Sequence, residues 1–157
     1  FSVTIYCQLV MFFNSFCQDI ILNKNERDKF IESCWIQMLW SATINPKGAF
    51  FCEVAGSLSY LYDGPKGIDI VENSDWWKLP LDSYINQKNW ACYKCGASIP
   101  LTPRRSNEEI DDISKSSLVR LKKINSPKIN KNLFILYDKN LDNNQHRDVA
   151  WYRYYKD

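Results

Sequence analysis

Apolar and polar residues alternate at the start of the chain, where polar positions separate Val3, Ile5 and Leu9. This period of two predicts a strand. The polar run at 23–29 then passes into an apolar pair, which predicts a loop followed by a short helix. The first 33 residues are therefore predicted as strand, loop and helix.

A turn signal lies in the middle of the segment 40–52. Residues that favour strands flank the sequence Asn45-Pro46-Lys47-Gly48, in which Pro suits an early turn position and Gly a left-handed one. We therefore expect a β-hairpin. After Cys52, apolar residues recur at helical spacing until the glycines and proline of 63–67 interrupt them, which predicts a helix of about ten residues.

Beyond residue 67 the patterns are shorter. Residues 81–88 predict one or two helical turns, and a compact turn is expected at 92–96. Residues 106–109 have the spacing of a capping box, so Glu108, Glu109, Asp111 and Asp112 are predicted as a solvated helix start. A surface helix over 116–124 and a strand over 133–137 complete an α+β prediction.

Composition and charge narrow the function classes. The 157 residues suit one domain or one piece of a larger protein, and 45% apolar residues favour a packed core over disorder. Scattered basic residues, 20 against 18 acidic ones, give no stripe that would attract nucleic acid. The apolar run 1–13 is too short to span a bilayer and lacks the features of a secretory signal, so we expect no membrane partner and a cytoplasmic location.

The cysteines carry the chemical information. Seventeen residues separate Cys34 from Cys52, thirty-nine more precede Cys92, and Cys95 completes a Cys-x-x-Cys pair. Such a pair can place two thiolates on one metal centre. The predicted hairpin could bring Cys34 and Cys52 to one end, so that four thiolates converge on one site.

Three other interpretations of the cysteines remain open. They could be buried apolar residues, for which Cys7 and Cys17 are the best candidates. They could form disulfides, although nothing else in the sequence indicates an oxidising compartment. They could also bind a structural zinc ion, since spacing alone does not separate zinc from iron–sulfur chemistry.

The order Cys34, thirteen residues, Gly48, three residues, Cys52, a gap and Cys92-x-x-Cys95 resembles the Twitch domain. This domain is a shortened relative of the SPASM domain and lies C-terminal to the catalytic barrel of radical SAM enzymes. No cysteine follows Cys95, as in the form with a single cluster. The sequences around the cysteines are also similar to bacterial radical SAM proteins of unassigned substrate.

The resemblance implies that Cys34, Cys52, Cys92 and Cys95 ligate one auxiliary 4Fe-4S cluster, with the hairpin and helices arranged around it. Residues 1–33 would be the end of a truncated, partial α/β barrel and its connector. Residues 34–100 would be the Twitch-like domain, and residues 101–157 a helical and strand extension. Since the chain starts at Phe1 and lacks the Cys-x3-Cys-x2-Cys motif, we expect a fragment that does not cleave SAM.

The missing barrel would be the partner of this chain and would bind S-adenosylmethionine, a second 4Fe-4S cluster and an unknown substrate. The auxiliary cluster would transfer electrons during oxidation or modification of that substrate. The alternative is a zinc-binding structural or protein-interaction module in which the same four cysteines hold the ion. Charged neighbours of the cysteines, Glu53 and Lys94, could shift a cluster potential or lie at the surface. Seven aromatic residues could shield the cluster or form ordinary core: Trp35, Trp40, Phe50, Phe51, Trp76, Trp77 and Trp90.

Overall fold

The computed structural model describes residues 9–10, 16–34, 36–37, 42–99, 104–105 and 109–137. Within these ranges the fold is α+β, as predicted, with short helices and three two-stranded sheets. The helices are α1 (Cys17–Ile20), α2 (Lys24–Glu32), α3 (Glu53–Leu61), α4 (Ile85–Ala91), α5 (Lys115–Lys123) and α6 (Pro127–Asn130). The strands are β1 (Leu9–Val10), β2 (Thr43–Asn45), β3 (Gly48–Phe50), β4 (Arg104–Arg105), β5 (Asp111–Ile113) and β6 (Phe134–Leu136). None of the helices in the described ranges has the length and apolar character needed to cross a membrane.

The predicted hairpin is confirmed. Strands β2 and β3 pair antiparallel, with Asn45 opposite Gly48. Gly48 has a φ of +116°, and a Cβ at this position would lie 2.6 Å from the carbonyl oxygen of Ile68. That close approach exists because Ala49 exchanges backbone hydrogen bonds with Ile68, at 2.8 and 2.9 Å. A third extended segment therefore packs along the hairpin and fixes β3 from its other edge.

Helix α3 starts immediately after the hairpin, as the spacing predicts. Its apolar residues Val54, Ala55 and Leu58 are buried, and they carry the helical period seen in the sequence. The helix ends at Tyr62, followed by Asp63 with a positive φ of 49°. The short connection between β3 and α3 leaves Cys52 at the junction of the two elements.

Two predictions for the helices need correction. The polar run 23–29 is not a loop, because helix α2 begins at Lys24. Asn23 accepts a hydrogen bond from the Glu26 N–H at 3.1 Å, and Lys24 pairs with Asp28 at 2.6 Å, so capping and a pair four residues apart support a helix without an apolar stripe. The helical turns predicted at 81–88 run further, through a 3₁₀ turn at Leu81–Tyr84 and α4 to a second 3₁₀ turn at Cys92–Lys94.

The helix start predicted at the acidic residues is wrong at Asp111 and Asp112, which the structure describes. Asp111 and Asp112 belong to strand β5, which pairs in parallel with β6, while residues 106–108 lie outside the described ranges. The strand forms because a partner arrives from residues 134–136, which local spacing cannot indicate. The cap is Ser114, whose Oγ accepts from the Ser117 N–H at 3.4 Å. The predicted helix 116–124 and strand 133–137 are confirmed as α5 and β6.

The larger hydrophobic core contains residues from Phe16 to Phe134. Phe16 from the N-terminal part, Phe50 from the hairpin and Ile113 from β5 are each at most 2% exposed and belong to it. The Phe16 N–H donates to Ser114 Oγ at 3.0 Å, and Asp19 accepts from the Ser116 N–H at 3.0 Å. The described residues on both sides of 34–100 therefore pack against that segment. Of the strand predicted near the start of the chain, the structure describes β1, which pairs antiparallel with β4.

Candidate four-cysteine site

Cys34, Cys52, Cys92 and Cys95 line one small cavity of about 20 Å³, which we call the four-cysteine site. All four are free thiols. The remaining lining is mostly apolar and consists of Ile36, Gln37, Phe51, Val54, Ala55, Ala91 and Ala97. The structure thus brings together the four cysteines that the sequence analysis singled out, although up to 61 positions separate them along the chain.

Cys34 and Cys52 lie on the first half of the site and are 8% and 6% exposed. Cys34 follows α2, and its N–H donates to the carbonyl oxygen of Ile31 at 3.3 Å. Cys52 is the residue that precedes the first turn of α3. Burial raises the pKa of Cys52, and the N–H groups of Val54 and Ala55 near its sulfur offset part of that rise without closing a capping hydrogen bond. The positive end of a helix dipole favours a thiolate at this position.

Cys92 and Cys95 form the second half of the site, in the 3₁₀ turn that follows α4. The Cys95 N–H donates to the Cys92 carbonyl oxygen at 3.3 Å, which closes the turn. The Cys95 sulfur accepts from the Ala97 N–H at 3.3 Å, and the Cys92 sulfur accepts from Gln37 Nε2 at 3.6 Å. Each of these two sulfurs therefore already has a polar donor of the kind that supports a thiolate.

The two halves are joined by Gln87, a buried residue of α4 that is 5% exposed. Its Oε1 accepts from the Phe51 N–H at 3.2 Å, and its Nε2 donates to the Ala49 carbonyl oxygen at 3.0 Å. Phe51 directly precedes Cys52, and α4 leads directly into Cys92. This side chain therefore sets the position of the Cys-x-x-Cys turn relative to the hairpin.

Helix α2 holds the same turn from the other side. The Tyr93 hydroxyl donates to Asp28 Oδ1 at 2.7 Å, and the Arg27 guanidinium lies 5.2 Å from the centre of the Tyr93 ring. These contacts link the turn to the helix that ends just before Cys34. All four cysteines are thus placed by elements that contact one another directly.

Burial raises the pKa of every thiol in the site. The pKa of Cys52 and that of Cys92 rise to about 12, and those of Cys34 and Cys95 also rise. A smaller contribution comes from mutual repulsion, because a thiolate on one cysteine disfavours a thiolate on the others. The thiols are therefore neutral near pH 7 unless a cation compensates their charge.

Four cysteine thiols are the ligands that a 4Fe-4S cluster uses, but the cavity between them is small. Within the described ranges, no three His, Cys, Asp or Glu side chains are arranged to hold a metal ion. A single zinc ion needs its sulfurs at about 2.3 Å from one centre, whereas a 4Fe-4S cluster takes its four thiolates on four separate irons. The ligand types therefore suit either group. Because the cavity is about 20 Å³, its walls must move outward to admit a cluster.

The fifth described cysteine, Cys17, behaves differently. It is fully buried beside Ile20 and Ile99 in a second, smaller core, as expected for an apolar cysteine. Burial raises its pKa to about 11, and it does not line the cavity. Cys7 lies outside the described residues.

The two charged neighbours of the cysteines, Glu53 and Lys94, have different surroundings. One carboxylate oxygen of Glu53 is buried without a hydrogen-bond partner, and the charge of this residue raises the pKa of Cys52. Lys94 turns towards Trp90 instead, since its Nζ donates to the Trp90 carbonyl oxygen at 2.9 Å and lies 4.6 Å from the centre of the indole ring.

The aromatic residues predicted to shield the site are only partly close to it. Phe51 lines the cavity, and Phe50 and Trp90 belong to the core around it. Trp77 is 52% exposed. Trp35 and Trp40 lie outside the described residues.

The sequence analysis missed Gln37 and Gln87. A signal for Gln37 exists, because it is the single polar residue in the run Trp35-Ile36-Gln37-Met38-Leu39-Trp40. A polar residue in such a run is expected to meet a specific partner. Gln87 gives no comparable signal, since polar residues surround it in the sequence.

Comparison with known proteins gives no relative: no protein-family model, no curated protein and no solved structure matches this chain.

Proposed function

We propose that the four-cysteine site binds one auxiliary 4Fe-4S cluster that transfers electrons, as part of a radical SAM enzyme. The observation that carries this proposal is the shared cavity of Cys34, Cys52, Cys92 and Cys95, from which the fully buried Cys17 is absent. When bound, the cluster supplies a one-electron carrier. The partner would be the catalytic barrel of the enzyme, which would supply SAM cleavage and the substrate site.

Electron transfer is favoured over substrate binding because the chain offers four thiols to four irons. With every iron ligated by a cysteine, no coordination position is left for a substrate atom. The lining residues Phe51, Val54 and Ala55 are apolar and exclude water, and low polarity and limited solvent exposure tune the reduction potential. The donors near the sulfurs, among them the Ala97 N–H, offset part of the charge of the thiolates.

A structural zinc site is the second candidate function. It is favoured by the same four thiols, since a set of four cysteines is a common structural zinc site, and it would make this region a redox-inert module for folding or protein interaction. The small volume of the cavity, about 20 Å³, also favours a single ion in size.

The deciding experiment measures iron, acid-labile sulfide and zinc per chain after purification without oxygen. We expect about four irons and four sulfides per chain, which should be lost in Cys52→Ala and in Cys92→Ala. Cys17→Ala is the matched control, because it removes a buried thiol that does not line the cavity. About one zinc without sulfide would contradict the proposal and support the second candidate. A complete cluster in Cys34→Ala would contradict full ligation and with it the electron-transfer role.

A further inference from the structure

Among the described residues, Gln37 has N–H groups near sulfurs on both halves of the four-cysteine site. Its backbone N–H lies near the Cys34 sulfur, and its side-chain Nε2 donates to the Cys92 sulfur at 3.6 Å. The same Nε2 also donates to the carbonyl oxygen of Ile31 at 3.0 Å, at the end of α2. The amide is therefore oriented by the helix and directed at the sulfur.

The hydrogen bond from Gln37 to the Cys92 sulfur lies in a mostly apolar cavity. Among the described residues that line the cavity, Gln37 has the only polar side chain apart from the four cysteines. Other donors near the sulfurs, such as the Ala97 N–H, belong to the backbone and stay in place in any variant that keeps the fold. Among the described lining residues, Gln37 is thus the one whose side chain can donate a hydrogen bond to a site sulfur.

A hydrogen bond to a ligand sulfur shifts the reduction potential in a known direction. An N–H group that donates to a ligand sulfur withdraws electron density and stabilises the more negative, reduced form of a cluster. The donor therefore raises the reduction potential. It also orients the ligand, which is the usual role of a residue that contacts a metal ligand rather than the metal.

We propose that Gln37 is a positioning residue that orients the Cys92 thiolate and raises the reduction potential of the bound cluster. The proposal rests on the function proposed above for the four-cysteine site. It assigns to Gln37 no contact with iron and no contact with substrate.

The experiment compares Gln37→Leu and Gln37→Glu with the native protein by iron and sulfide content and then by potentiometric titration of the cluster without oxygen. Leu removes the donor at similar size, and Glu replaces it with a carboxylate. We expect full clusters in all three proteins. The midpoint potential should be highest in the native protein, lower in Gln37→Leu and lowest in Gln37→Glu. Gln18→Leu is the control, since Gln18 is an exposed residue of α1, and its potential should equal that of the native protein.

Several results would overturn the role of Gln37. An unchanged potential in Gln37→Leu with a full cluster would do so, whereas loss of the cluster from both variants while they remain folded would support the positioning of Cys92. If the native protein holds one zinc and no sulfide, the proposed function fails. The positioning role is then measured by zinc titration of the metal-free proteins. Zinc affinity weakened roughly tenfold or more in Gln37→Leu would support it, and equal affinity would overturn it.

Discussion

The four-cysteine site and the C-terminal unit of residues 111–136 share one hydrophobic core but are held together in different ways. In the C-terminal unit, β5 pairs with β6, Ser114 caps α5, and Lys128 pairs with Asp111 at 2.6 Å. These contacts join residues no more than about 25 positions apart and pair backbone groups and opposite charges.

The four-cysteine site depends on contacts between distant residues. Gln37 and Cys92 are 55 positions apart, and Asp28 and Tyr93 are 65 apart. They gather four thiols whose burial raises their pKa values, and the charge of Lys88 offsets only part of this rise at Cys92. The C-terminal unit thus combines strand pairing, a helix cap and an ion pair, whereas the four-cysteine site combines buried thiols with long-range hydrogen bonds.

The largest expected effect is a loss of stability at alkaline pH that originates in the four-cysteine site and not in the C-terminal unit. The thiols have raised pKa values in the folded protein, so their contribution to stability is present below the ordinary thiol pKa of 9.0 and is lost as pH rises above it. Between pH 8 and pH 10 the metal-free protein should lose on the order of 4 kcal/mol, about 1 kcal/mol for each thiol. Urea unfolding at several pH values measures this loss.

The metal-loaded protein is the control for the alkaline prediction, because its thiolates are already deprotonated and compensated by the metal. It should lose much less stability over the same pH range, because Cys17, whose pKa burial raises to about 11, is the one described cysteine outside the site. Equal alkaline losses with and without metal would contradict the difference between the two regions.

Ile113→Ala tests the C-terminal unit. Ile113 is 1% exposed in the shared core, and the cavity left by the substitution should cost about 3 kcal/mol of unfolding free energy. Denaturant unfolding of the metal-free protein measures the cost. Ile135→Ala removes the same side chain from an exposed position of β6 and should change stability little. If the two variants are equally stable, the C-terminal unit does not contribute to the core as described.

Gln87→Leu tests the connection between the hairpin and the Cys-x-x-Cys turn. It leaves the buried Phe51 N–H without its partner, which should cost about 2 kcal/mol. Because α4 loses its attachment next to Cys52, metal uptake should also weaken, and titration of the metal-free protein with zinc would show this. The exposed amide of the same helix provides the control Asn89→Leu. Native zinc affinity in Gln87→Leu would show that the turn is positioned without this residue.

Asn23→Ala should have the smallest effect, about 1 kcal/mol, because it removes only the side-chain cap of α2. The metal content should stay unchanged, since the Tyr93 contact with Asp28 lies further along the helix. Thermal unfolding and metal analysis measure both quantities, with the exposed Asn25→Ala as control. A loss of metal would mean that the site depends on the first turn of α2.

The local parts of the fold could be predicted because their signals are local. The turn at Gly48 needs a left-handed residue, the apolar spacing after Cys52 dictates a helix, and the alternation of 116–124 predicts α5. The grouping of Cys34, Cys52, Cys92 and Cys95 was also predictable, although from the order and spacing of the cysteines together with a family resemblance.

Other features depended on partners that come from elsewhere in the chain. Asp111 and Asp112 form a strand because β6 arrives beside them, and no pattern around these residues indicates that. The roles of Gln37 and Gln87 likewise appear only when a sulfur or a backbone group is brought within hydrogen-bond distance.

Residue types and their order established where the hairpin turns, where the long apolar helix runs and which four thiols can act together. Tertiary packing decided that these thiols share one apolar cavity, that their pKa values rise, and that Gln37 faces the Cys92 sulfur. The reason is physical: turns and helix periods depend on neighbouring residues, whereas desolvation and long-range hydrogen bonds depend on which distant surfaces meet.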